Sequence, residues 1–212
     1  MEMAGDNSFE LEEKVMNTFK FWAVAFVALS LLPNIGASAD TAKEAYENGL
    51  SSLGKNDYDA AITAFTEALR LDPKNVDAYY NRGRAFGSKA EFDEAISEFT
   101  VALRLDPKYA KAYLGLGVAY YAKNNLEKAF TNFTEAIRFD PTLAKAYNNL
   151  GLIYEIEGDH GMAIADYTEA IRLDSKFAQA YFNRGRSYGQ VGDRARADED
   201  FAQARKFGYK SP

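Results

Sequence analysis

Between residues 42 and 211, apolar side chains return every three to four positions in paired blocks, the period of amphipathic helices. A turn containing Gly, Asn or Asp divides the two blocks of a pair, as at Gly158-Asp159 and Gly192-Asp193. The pairs themselves repeat. Asp-Pro recurs at Asp72-Pro73, Asp106-Pro107 and Asp140-Pro141, each 34 residues on, and Asp174-Ser175 continues the series. Aligned on that step, the chain falls into five windows, 42–75, 76–109, 110–143, 144–177 and 178–211, and no second domain is expected beside them.

Each window carries the same residue types at the same offsets. The eighth position is Gly49, Gly83, Gly117, Gly151 and Gly185. Ala61, Ala95, Ala129, Ala163 and Ala197 occupy the twentieth, and Ala68, Ala102, Ala136, Ala170 and Ala204 the twenty-seventh. The twenty-fourth is aromatic: Phe65, Phe99, Phe133, Tyr167 and Phe201. Small residues let two antiparallel helices approach closely, and a large ring fills the space beside them. A Pro after the second helix cannot continue it and forces the preceding Asp out of the helical region, so it ends the unit.

This pattern resembles the tetratricopeptide repeat over about 170 residues in five consecutive units. The resemblance implies an all-α fold, a right-handed α-solenoid of five helix–turn–helix repeats, and a protein-binding rather than catalytic role. The ends depart from the pattern in a physically sensible way. Positions 4 and 11 are aromatic in the inner repeats, as in Tyr79 with Phe86 and Tyr113 with Tyr120, but Ala45 and Ser52 in the first, where no helix precedes. Positions 21 and 28 are apolar in four repeats but Asp198 and Arg205 in the fifth, as expected of a capped terminal face, with Gly208 ending the last helix.

Turned by 100° per residue, positions 4, 7, 8 and 11 of each first helix share the side expected to form the core. Positions 2, 5, 6, 9, 12 and 13 fall opposite, on the side that lines the concave surface of a helical solenoid. There the sequence predicts a partner-binding groove of Tyr80, Arg84, Leu114, Val118, Tyr121, Leu152, Ile156, Phe182 and Arg186. Second positions add Asp77, Lys111 and Lys145; sixth positions add Asn81, Asn149 and Asn183, interrupted by Gly115. Apolar and aromatic side chains would anchor a peptide, the amides would pair with its backbone, and the lysines favour acidic segments. The Asn series resembles the asparagine ladder of some long superhelical members of the family. The carboxylate-gripping set of the chaperone-binding members is matched poorly: Tyr46, Leu50, Asn81, Lys111 and Gly115 stand at its positions, two agreeing out of five.

Composition narrows the chemistry. The 212-residue chain has no Cys and one His, His160, which excludes disulfides, thiolate metal sites, cysteine nucleophiles and any site needing two imidazoles. His160 reads as a half-buried packing residue at a helix start, and the acidic run Asp198-Glu199-Asp200 as a solvated face. No metal, cofactor or catalytic residue is expected. A net charge of −6 argues against nucleic acid as a partner.

Residues 1–39 read as an address. The uncharged run 21–32 is short for a membrane span, follows Lys14 and Lys20, and is broken by Pro33 before Ala37-Ser38-Ala39. Secretory cleavage is expected after Ala39, with an uncleaved anchor as the alternative and the only expected membrane contact. Acidic residues Glu2, Asp6, Glu10, Glu12 and Glu13 sit where a basic segment is usual, which a start at Met16 would remove. After cleavage 26 acids and 23 bases remain, a net of −3, so bulk charge says little about the partner. The expectation is an exported, periplasmic or secreted bacterial scaffold that binds a protein or peptide; the alternative is an accessory subunit of an envelope-assembly or cell-wall-processing complex.

Overall fold

The computed structural model describes residues 35–210; the apolar run 21–32 and the acidic stretch before it lie outside the described residues. Ten helices form among the described residues: α1 Ile35–Gly54, α2 Tyr58–Leu71, α3 Val76–Ser88, α4 Phe92–Leu105, α5 Ala110–Ala122, α6 Leu126–Phe139, α7 Ala144–Glu157, α8 His160–Leu173, α9 Ala178–Gln190 and α10 Arg194–Lys206. They pair as five helix–turn–helix units in an α-solenoid. From the second window on, every first helix opens at position 1, and every second helix of the array opens at position 17. α1 begins ahead of its window and of the expected cleavage point.

Each first helix packs against its own second helix and against the next first helix, whereas no second helix touches the next second helix. The stack therefore curves with α1, α3, α5, α7 and α9 on its inner side. Within a unit, close approach depends on the recurring glycines. A Cβ placed on Gly117 would stand 2.4 Å from the Phe133 ring, and one on Gly151 2.7 Å from Tyr167. Those rings, with Phe65 and Phe99, are buried at the centres of their units.

The buried arc of the first helices is turned from the expected one. It centres on positions 3 and 10: Ala78, Ala85, Ala112, Ala146, Ile153, Ala180 and Ser187 are fully buried. Each inner first helix lies in a corner between two neighbours, so its core face is broad and shifted toward the preceding repeat. In the first repeat the same positions are Glu44 and Ser51, both exposed. The aromatics at position 4 divide their contacts. Tyr79 packs on the first repeat's core, as expected. Tyr113 instead stacks on Phe139 of its own repeat at 5.4 Å, and Tyr181 lies 5.7 Å from Phe207.

Two turns recur. Between the helices of a unit, position 15 is left-handed in all five repeats: Asn56, Ala90, Asn124, Gly158 and Gly192. The next residue caps the second helix through Asp57, Asn125, Asp159 and Asp193, each accepting a hydrogen bond from a backbone N–H of the first turn. Glu91 makes no such bond. Between units, Asp72, Asp106, Asp140 and Asp174 are extended and accept from the N–H two residues on, at 2.9–3.1 Å. Asp174 does so without a following Pro. At the end of the array Asp198 and Arg205 are exposed, and Gly208 at φ +90° follows the last helix.

Candidate functional site: the inner helix layer

Side chains at positions 9 and 13 of the inner helices project away from the core. Leu50, Val118 and Ile156 are 39%, 47% and 55% exposed, because no described residue packs over that face. Tyr121 and Leu152 are partly buried beside them.

A pocket of about 300 Å³ opens in this layer between α3, α4, α5 and α7. Tyr80, Arg84, Leu114, Val118 and Lys145, all expected from sequence, line it together with Phe92, Phe99, Ser88 and Gly115. Gly115 stands where three other repeats carry Asn, and a Cβ there would lie 2.6 Å from the Phe99 ring. The gap in the asparagine series is thus a cavity floored by a ring. Phe92 and Phe99 were missed because they come from a second helix; the departure at Gly115 was the available signal.

Tyr80 is held from two sides. Its ring lies 5.8 Å from Phe99 and 5.5 Å, edge-on, from Tyr109. Tyr109 in turn donates its hydroxyl to Asp77. Burial raises the Tyr80 phenol pKa against the opposing pull of Arg84, so the ring stays neutral. Arg84 donates to Asn81 Oδ1 at 3.0 Å and lies 5.7 Å from the Tyr80 ring centre. Neither Arg84 nor Lys145 forms an ion pair with a described residue, and both are exposed. No carboxylate lines the pocket.

The expected asparagine ladder is corrected. Asn81 and Asn183 are buried, 6% and 1% exposed, and their amides serve the fold. Asn81 donates to the Tyr46 hydroxyl at 3.0 Å, and Asn183 to Asn148 Oδ1 at 3.0 Å while accepting from Gln179. In both cases the partner is the fifth position of the preceding repeat, because position 6 points at the neighbouring first helix rather than into open space. Asn149 is half-buried and accepts from Asn148 at 3.3 Å.

Toward the C-terminal end the layer is more self-satisfied. Tyr167, the one Tyr among the position-24 rings, donates its hydroxyl to Glu155 at 3.0 Å, and Glu155 pairs with Arg186 at 3.0 Å. Burial and the Glu155 charge raise the Tyr167 pKa, fixing it as a donor. Arg186 is therefore neutralised, unlike Arg84. Phe182 is covered by Tyr209, stacked at 4.2 Å. Lys111 is exposed.

Family models place this architecture. A TPR repeat model matches residues 53–90, 88–124 and 119–158, and tetratricopeptide repeat models match 144–177 and 178–204. The chain belongs to the tetratricopeptide repeat family. Among solved structures of such repeats, the MamA protein is 30% identical, with a TM-score of 0.63 over 79% of this chain and 92% of that one. PilF of Pseudomonas aeruginosa is 19% identical with a TM-score of 0.75, covering 82% and 80%. YrrB, described as a TPR protein with an unusual peptide-binding site, is 21% identical with a TM-score of 0.59, covering 83% and 93%. The last two show the fold alone. No curated protein matches the sequence.

Other chemistry is sparse in these tetratricopeptide repeats. His160 opens α8, half-buried, and its Nδ1 has no hydrogen-bond partner. Among the described residues no cluster of three or more His, Asp or Glu could hold a metal ion. No helix there is long and apolar enough to cross a membrane.

Proposed function

We propose that the protein is an exported, non-catalytic scaffold that holds an extended segment of a protein partner along its inner helix layer. The observation that carries this reading is the row of uncovered apolar side chains Leu50, Val118 and Ile156 along the inner layer, with Arg84 and Lys145, outside any ion pair with a described residue, beside Val118 at the Gly115 pocket. Burying such apolar area supplies most of the affinity of a peptide site, while flanking charges select the ligand and set the on-rate. YrrB, a neighbour in fold, carries a peptide-binding site, which supports the reading. Export to the periplasm rests on the leader at residues 1–39 and its expected cleavage after Ala39.

The test is capture of partners from an envelope extract by the wild-type protein and by a variant carrying Val118→Asp, Ile156→Asp and Lys145→Glu. All three residues are exposed, so the fold is retained. A partner held by the wild type and lost by the variant supports the reading. Equal capture by both refutes the inner layer as the binding face.

A further inference from the structure

The Gly115 pocket has properties that the rest of the inner layer lacks. Its floor and walls are rings and aliphatic groups, Tyr80, Phe92, Phe99, Leu114 and Val118. Its volume of about 300 Å³ lies at the small end of ligand sites and is enough for one large side chain. Two cations meet its rim from opposite sides of α5: Arg84 from α3 and Lys145 from α7. The carboxylate that neutralises the nearest comparable cation, Glu155 beside Arg186, has no counterpart here; the same position 12 is Gly87 in the second repeat and Tyr121 in the third.

The geometry points to this pocket as the specificity site of the groove: it takes one large apolar side chain from an extended peptide, and Arg84 and Lys145 hold an acidic side chain next to it. The inference rests on the proposed function and names its ligand class. An exposed guanidinium and an exposed ammonium, neither in an ion pair with a described residue, leave a positive rim, which an acidic group would complete. The acid belongs to a side chain rather than a chain end, because the layer continues with uncovered Leu50 on one side and Ile156 on the other, so a bound segment can run through. Gly115 makes the site by omission. The Asn found at this position in three other repeats would meet Phe99 and fill the space.

Amide-resolved NMR titration of the folded protein tests this with four small probes: N-acetyl-Phe-Asp-amide, N-acetyl-Ala-Asp-amide, N-acetyl-Phe-Lys-amide and the free acid N-acetyl-Phe-Ala. The Phe-Asp probe is expected to shift the amides of Gly115, Val118 and Ala119, with the Ala-Asp and Phe-Lys probes about ten-fold weaker, from the lost ring burial and the reversed charge. Val118→Trp, which fills the mouth from an exposed position, is expected to abolish the shifts. The double change Arg84→Glu with Lys145→Glu is expected to reverse the preference toward the Phe-Lys probe. Equal binding of the Asp and Lys probes, or no shift at these amides, overturns the proposal, and preference for the free acid overturns the side-chain assignment. Shifts confined to Leu152 and Ile156 that survive Val118→Trp refute the pocket while leaving the groove reading intact. Shifts confined to the outer helices refute both.

Discussion

Arg82 donates to both carboxylate oxygens of Glu98, at 3.0 and 2.9 Å, and a third bond reaches Thr66 of the preceding repeat. Arg184 repeats the arrangement with Asp200 and Thr168, so Asp200 is buried, unlike the exposed Asp198 and Glu199, and does not belong to the solvated face expected of that run. In the fourth repeat the acid is present as Asp166, but the arginine position is Leu150. Asp166 Oδ2 is buried with no hydrogen-bond partner, and burial alone pushes the carboxyl up to about 7.

Stability should therefore depend on pH through Asp166. Its folded pKa is raised, so the folded state binds the extra proton. Stability is full below the unfolded value near 4 and falls as pH rises toward 7. Asp166→Asn should remove that fall and stabilise the protein above pH 7 by roughly 1–2 kcal/mol, allowing for solvent screening of a partly exposed group. Urea unfolding at pH 5 and pH 8 measures it; an equal effect at both pH values contradicts the assignment.

Ala90 occupies the left-handed turn position at φ 62°, where the fourth and fifth repeats carry Gly158 and Gly192. A Cβ is unfavourable there, so Ala90→Gly should stabilise by about 1 kcal/mol, and Gly158→Ala should destabilise by a similar amount. Thermal unfolding of the two variants should show opposite shifts in Tm.

Asp174 has φ −133° and ψ 94°, matching Asp72, Asp106 and Asp140, which precede proline. The backbone before Ser175 is thus already in the region proline requires. Ser175→Pro should raise stability by about 0.5–1 kcal/mol by restricting the unfolded chain. A loss in chemical denaturation would show that the aspartate turn depends on the serine.

Gly117→Ala drives a methyl into the buried Phe133 ring, since the Cβ position is 2.4 Å from it. Overpacking should exceed the gain in helix propensity and cost about 1–3 kcal/mol. Gly54→Ala is the contrast: nothing lies within 4 Å, so it should be neutral or stabilising. Comparable melting temperatures for the two variants would refute the close-approach role.

The repeat, its helix–turn–helix unit and its small residues set beside a large ring were legible because each recurs at one offset in five copies. The orientation of the first helices was not. Angular arithmetic on one helix assigns a single core side, but an inner helix here touches neighbours on two sides. That is why the arc moved to Ala78 and Ala85 and why Asn81 and Asn183 turned inward. Of the groove residues, Tyr80, Arg84, Leu114, Val118 and Lys145 converge on one pocket. Phe182 and Arg186 are occupied by Tyr209 and Glu155, contacts between distant positions that no periodicity encodes.

Site-specific photocross-linking tests the central claim most directly. A benzophenone side chain placed at Val118, on the inner layer, should capture a partner in living cells. The same group at Thr134, exposed on α6 of the outer layer, should not. Capture from Thr134 with none from Val118 would place the partner on the other face and contradict the account.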